Sequence, residues 1–314
     1  MAFNIHEEVK RNKSKSVLII LGFLVFIALI GAGAGVVWGG YNTGNLFNLP
    51  SIIFSVTMAL VVALIYIAIF MANGEKMILS ATGAIEANRK QYPHLYHSTE
   101  ALSIAAGLKT PPKCYIIKDT ALNAYATGFK PEKSYVVVTT GLINKLNREE
   151  IEGVLAHEIS HIKNQDIKVM LLAAGLVGAT VLLADLMFRM FIFGGHGGGG
   201  KKDGRLMAIV FVFWLSLIIL SPIIGKMIQM AISRQREYLA DASGAQLTRY
   251  PEGLASALEK IKKDPDPLVD RANKATAHLF ISTPFRDRGS SLKSLFATHP
   301  PIDKRISRLR GKKV

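Results

Sequence analysis

His157-Glu158-Ile159-Ser160-His161 sets two imidazoles four residues apart, with a carboxylate next to the first. On a helix that interval is about one turn. Both rings therefore leave the same face, at a spacing that suits two ligands of a single zinc ion. Glu158 then stands beside the ion, placed as a base toward its water rather than as a ligand. Farther along, Ser233-Arg-Gln-Arg-Glu-Tyr-Leu-Ala-Asp241 repeats the interval with carboxylates at Glu237 and Asp241. Glu237 has the geometry of a third ligand, and Asp241, one turn on, could accept the spare N–H of a ligand histidine. Ala240 between them leaves room for another helix. An acidic face among surface arginines accounts for the same spacing equally well.

A helix over residues 148–165 must carry the first motif. Asn147 is a good N-cap with Glu150 three residues later, and Ile151, Val154, Leu155, Ile159 and Ile162 recur at helical intervals. Ahead of it, residues 75–90 and 99–107 have helical character, the second stopped by Gly107-Leu-Lys-Thr-Pro-Pro. Residues 113–117, 124–127 and 134–140 read as short strands. A small sheet beside a metal cleft can bind an extended peptide by main-chain pairing, and a purely structural sheet fits the pattern as well. His94 and His97, three apart after a proline, read as surface or packing residues.

Half of the 314 residues are hydrophobic, too many for an ordinary soluble enzyme of this length. The excess is localised. Residues 17–38 and 52–72 are uncharged runs long enough to cross a bilayer as helices. Ala32-Gly33-Ala34 imitates a signal cleavage site, but the first run exceeds a signal core and a second follows closely, which favours a retained hairpin. Lys10, Arg11, Lys13 and Lys15 precede it and residues 39–48 hold no Lys or Arg, so the positive-inside rule puts the N-terminus and everything after Ala72 in the cytoplasm. A second hairpin, crossing or re-entrant, is expected from residues 169–193, with Asp185 and Arg189 able to pair, and from residues 206–225. Lys201, Lys202 and Arg205 between them blur the charge rule. The glycine-rich stretch 194–200 lacks the ending of a phosphate loop and reads as a flexible connection. The net charge of +15 comes without a nucleic-acid recognition motif, and anionic lipid is the simpler partner. Cys114, the single cysteine, excludes an internal disulfide and reads as a buried small side chain.

With Asn123-Ala-Tyr-Ala-Thr-Gly128, Val136-Val-Val-Thr-Thr-Gly-Leu142, His157-Glu-Ile-Ser-His161, Ser233-Arg-Gln-Arg-Glu-Tyr-Leu-Ala-Asp241 and Phe296-Ala-Thr-His-Pro-Pro301 in this order, the chain resembles the HtpX-type membrane zinc metalloproteases of bacteria. These are gluzincins, related to the CaaX prenyl proteases. The resemblance covers essentially the whole chain. It implies one zinc ion held by His157, His161 and Glu237, Glu158 as general base, and Asp241 as a carboxylate behind a ligand. It also implies Asn123 and Ala124 on a substrate-facing edge strand. His299 and Arg305 match a pair that steadies the tetrahedral intermediate; in some relatives that histidine instead serves as a latent fourth zinc ligand. Ala297 stands where the commoner form has Ser. Eukaryotic CaaX proteases have more spans, which argues against prenyl processing.

The expected architecture is mainly α with a small β-sheet, a gluzincin-like domain combined with four transmembrane helices. Its segments are 1–16 in the cytoplasm, 17–72 as a hairpin, 73–166 and 233–314 as the two parts of the catalytic domain, and 167–232 as the second hairpin. The expected function is a zinc endopeptidase of the bacterial plasma membrane, cleaving membrane or misfolded proteins at the cytoplasmic face. Two rivals are a scaffold with a structural zinc site and a small transporter in which the motif is incidental. Structural zinc sites normally close the fourth position, and a pump should carry more charge inside its spans.

Overall fold

The computed structural model describes residues 5–193, 234–264, 266, 276, 279–282 and 300–311. Two long helices, α1 (Ile5–Thr43) and α2 (Leu49–Ala81), come first. A strand β1 (Ile85–Glu86), helix α3 (Pro93–Ala106) and strands β2 (Lys113–Ile117), β3 (Ala124–Lys130) and β4 (Lys133–Thr139) follow. Then come α4 (Thr140–Lys145), α5 (Arg148–Lys163), α6 (Asp166–Phe193), α7 (Arg234–Thr248), α8 (Pro251–Lys263) and α9 (Ile302–Leu309). The described residues divide into two compact units. Val17–Ala72 with residues 175–193 form one, and residues 5–16, Asn73–Ala174 and those from 234 onward form the other.

In the apolar unit, α1 and α2 are long and apolar enough to cross a membrane. Their outer faces leave Val17, Leu18, Leu21 and Val25 of α1, and Phe54, Met58, Val62 and Ile65 of α2, about half exposed or more. An apolar surface that continuous is unfavourable in water at roughly 25 cal/mol per Å² and neutral in lipid. Glycine lets the two helices meet. A β-carbon at Gly35 would lie 2.5 Å from the Ile52 α-carbon, and one at Gly31 would lie 3.0 Å from Val56, the small-residue contact typical of helices in bilayers. Residues 194–233, which include the expected span 206–225, lie outside the described residues. So do the side chains of Asp185 and Arg189 on α6.

In the polar unit the sheet runs β1-β2-β4-β3, with β2 and β4 parallel and the outer pairs antiparallel, which leaves β3 at an edge. The helix expected over 75–90 is corrected: α2 continues to Ala81 and Glu86 lies in a strand. Gly83 turns left-handed at φ 67°, the Ala84 amide donates back to the Leu79 carbonyl at 2.8 Å, and Ile85–Glu86 then pairs with β2. Helical periodicity could not register that turn, because residues on both sides keep apolar spacing. His94 and His97 are exposed on α3, and Cys114 is buried, as expected.

The centre of this unit is α5. Its capping box closes as the sequence requires: Glu150 N–H donates to Asn147 Oδ1 at 2.9 Å and Asn147 N–H donates to Glu150 Oε2 at 2.8 Å. Glu150 also accepts from Ser256 and Lys260 of α8, and these bonds hold its carboxyl below the usual carboxylate range against the opposing effect of burial. Gly153 and Gly253 let α5 and α8 touch backbone to backbone, since a β-carbon at either would come within 2.5 Å of main-chain atoms of the other helix. Every residue from Gly153 to Ile162 is buried, with Val154, Leu155, Ile159 and Ile162 packed among Leu254, Leu258, Val136 and Leu102. A helix buried on all sides obliges each polar side chain it carries to find a partner inside the protein. His157, Glu158 and His161 are such residues.

Candidate metal centre

One turn of α5 brings the Nε2 atoms of His157 and His161 to 3.3 Å from each other. Helix α7 supplies Glu237, whose Oε1 lies 3.5 Å from His161 Nε2 and whose Oε2 lies 3.9 Å from His157 Nε2. Gly244 makes that approach possible, because a β-carbon there would meet the His157 amide nitrogen at 3.0 Å. Ligand atoms about 2.0–2.1 Å from one tetrahedral ion sit roughly 3.3 Å apart, so the three donors fit a small ion with little movement. They form the one such group among the described residues.

Each histidine has a carboxylate behind it. His157 Nδ1 lies 3.0 Å from Asp241 Oδ1, and His161 Nδ1 lies 3.1 Å from Asp166 Oδ2. With each Nδ1 turned to its carboxylate, both Nε2 atoms face the position between them. Each carboxylate in turn meets a buried arginine. Arg305, which is fully buried, donates to Asp241 through Nε at 2.9 Å and through Nη2 at 2.7 Å. Its Nη1 donates to the Ile281 carbonyl at 3.1 Å and stands 3.8 Å from Glu237. Arg236, next to Glu237 in the chain, places Nη1 3.6 Å from Asp166 Oδ1.

Among the described residues, four buried carboxylates, Glu158, Asp166, Glu237 and Asp241, gather around the two imidazoles with the guanidiniums of Arg236 and Arg305, a donor set of nitrogen and anionic oxygen that suits a divalent cation. Burial and these neighbouring charges shift the protons. Burial pushes Glu158 up to about 7, with Glu237 adding to the rise. Burial alone would lower His161, but Asp166 and Glu237 outweigh it and raise the imidazole to about 9. His157 goes the other way, to about 4, through burial and the adjacent Arg305 charge. Burial would raise Asp241, but Arg305 overrides it and holds the carboxyl at about 2.

Glu158 accepts a hydrogen bond from the Ala126 amide on β3, which ties the helix to the sheet edge. Asn123 and Ala124 begin that edge, and both are engaged by residues 281 and 282. Ile281 N–H donates to the Ala124 carbonyl at 2.8 Å, and Asn123 Nδ2 donates to the Ser282 carbonyl at 3.0 Å. Of the residues singled out by sequence, His157, Glu158, His161, Glu237, Asp241 and Arg305 come together here, with Asn123 and Ala124 on the adjoining strand. His299 lies outside the described residues. Asp166, Arg236 and Ile281 are the neighbours that sequence reasoning missed. Only Asp166 left a trace, as an acidic residue five positions beyond His161.

Residues 89–313 match the model of peptidase family M48. A protein of Dictyoglomus turgidum named Protease HtpX homolog is 44% identical over 310 residues, covering 98% of this chain and 95% of its own. A Listeria monocytogenes protein of the same name is 39% identical over 314 residues, covering 97% and 99%. Among solved structures, S. mikatae Ste24p aligns with TM-score 0.43 and 21% identity, over 83% of this chain and 65% of that one.

Proposed function

The chain belongs to peptidase family M48, and from that premise we propose that it is a zinc endopeptidase working on membrane or misfolded proteins at the cytoplasmic face of a bacterial plasma membrane. The observation that carries the reading is the His157–His161–Glu237 triangle, all three ligand atoms within 4.8 Å of one another, with the Glu158 carboxylate beside it. In this reading those three residues hold one zinc ion. When bound, the ion supplies Lewis acidity, lowering the pKa of water from 15.7 toward about 7 and polarising a peptide carbonyl.

The protein's own groups do the rest. Asp241 and Asp166 keep the two imidazoles in the tautomer that ligates. Glu158 takes the proton of the attacking water and returns it to the leaving amine. Asn123 and Ala124 offer an edge on which an extended peptide can add as a further strand. Arg305, with His299, steadies the negative charge that develops on the carbonyl oxygen. The hairpin over 17–72 anchors the enzyme, the region 167–232 forms the second hairpin, and the catalytic parts, 73–166 and 233–314, lie in the cytoplasm. The basic residues before the first span and their absence from residues 39–48 support that orientation.

Metal analysis paired with casein cleavage tests this. The purified protein is expected to carry about one zinc per chain and to lose cleavage to a chelator, and His157→Ala to lose both metal and cleavage. Tightly held zinc without any cleavage would favour the scaffold. Asp166→Asn should keep the fold and weaken zinc binding about 10–100-fold, read by chelator competition, because the carboxylate that fixes His161 is gone. Unchanged affinity would mean that Asp166 does not fix His161 for the metal.

A further inference from the structure

We propose that residues 280–282 stand in for the backbone of a substrate: they occupy the open edge of β3 beside the metal centre, and an extended peptide must displace them to bind. This rests on the peptidase reading and adds what fills the cleft of the free enzyme. In an antiparallel pair, alternate residues turn their N–H and C=O groups to opposite sides. Asn123 turns its carbonyl toward β4, accepting from Thr139 N–H at 3.0 Å, so the main-chain groups of Ala124 and Ala126 face the open edge. There the Ala126 amide holds Glu158 and the Ala124 carbonyl holds Ile281. Two residues of a strand span about 6.8 Å, so the segment is gripped one repeat from the group assigned as base.

The grip has two sides. Ile281 donates its N–H to the sheet edge, and its carbonyl accepts from Arg305 Nη1, whose guanidinium also holds the carboxylate behind His157. Asn123 closes on the next residue, Nδ2 donating to the Ser282 carbonyl and Oδ1 lying 3.4 Å from its N–H. An N–H on an edge strand and a C=O on a buried cation beside the metal ligands are the two contacts that would hold a peptide residue near its scissile bond. Large apolar side chains accompany them: Phe280 meets Tyr125 edge-on at 5.0 Å, and Ile281 is 1% exposed. A strand built only for structure would continue its ladder, yet the next open-edge amide, Ala126, is given to Glu158. The occupant thus implies the class of its competitor, an extended peptide with bulky apolar residues.

Hydrogen exchange on the full-length, metal-loaded Glu158→Gln protein in detergent tests this, with and without a saturating casein fragment that the wild-type protein cleaves. Ile281 N–H is expected to exchange at least tenfold faster with the fragment bound, while the Val136 and Val138 amides keep their rates. Ile281 protection that persists under saturation overturns the proposal and leaves the peptidase reading intact. If the wild-type protein shows no chelator-sensitive cleavage, the peptidase reading fails and the proposal with it. Ile281→Pro, which deletes the competing N–H, should lower KM for the fragment at least threefold with kcat within twofold. A raised KM counts against displacement, and if that variant does not fold, the exchange measurement decides.

Discussion

Replacing Glu158 with Gln is expected to leave the protein folded and metal-loaded while lowering kcat for casein fragments by about 10²–10⁴-fold, the usual worth of a positioned general base. Gln is nearly the same shape, and its carbonyl oxygen can keep the bond from the Ala126 amide. It cannot take a proton. Burial, which holds the wild-type carboxyl at about 7 when no cation is present, makes removal of its charge inexpensive for folding, so the thermal midpoint should change little. The proposed ligands His157, His161 and Glu237 are untouched, so zinc content should stay at the wild-type level. A variant that keeps zinc and cleaves at the wild-type rate would remove Glu158 from the mechanism. One that loses zinc would place it among the groups that shape the metal site.

How much of this was legible follows from where each signal is written. The capping box of α5 and the spacing of His157, Glu158 and His161 are local, so sequence alone places them on one capped helix, and the helix is there. The end of that helix is less local. Periodicity carries the reading to Gln165, but the helix stops at Lys163 and Gln165 turns left-handed at φ 56°, which sends the chain back and brings Asp166 against His161. No spacing rule anticipates a carboxylate delivered by a reversal. Arg236 was hidden for a different reason, and Arg305 was legible only through the family resemblance, not through its spacing. Basic residues at helical spacing normally cover a solvated face, and here Arg236 is 3% exposed and Arg305 fully buried, each against a carboxylate remote in sequence. Their burial shows only once α7 and α9 are packed. Ile281 is the extreme case, since its role comes entirely from which strand edge it lies on.

Replacing Arg305 with Leu should destabilise the polar unit by about 3–5 kcal/mol, the range found when one partner of a buried ion pair is removed. For a unit of this size that corresponds to a thermal midpoint lower by roughly 6–20 °C. The cause is not the lost hydrogen bonds alone. Arg305 is what holds Asp241 at about 2 against the burial that would raise it, and it stands near Glu237 as well. Without the guanidinium, Asp241 must remain as an uncompensated buried charge or take up a proton, and a protonated Asp241 no longer orients His157 as a carboxylate does. Zinc affinity should fall together with stability, although Arg305 is not a ligand. Removing Asp241 as well, in Arg305→Leu with Asp241→Leu, should recover part of the midpoint, because the stranded charge has gone, while zinc affinity stays low because His157 has lost its anchor. A residue that acted only on a developing oxyanion would give a different pattern: Arg305→Leu would unfold with the parent, bind zinc as the parent does, and lose kcat alone. Its donors argue for the first pattern, since Nε and Nη2 are both given to Asp241 and only Nη1 reaches toward the sheet edge. Nη1 is the nitrogen that holds the Ile281 carbonyl, so the group that holds the metal site together is also the group an incoming carbonyl would have to claim.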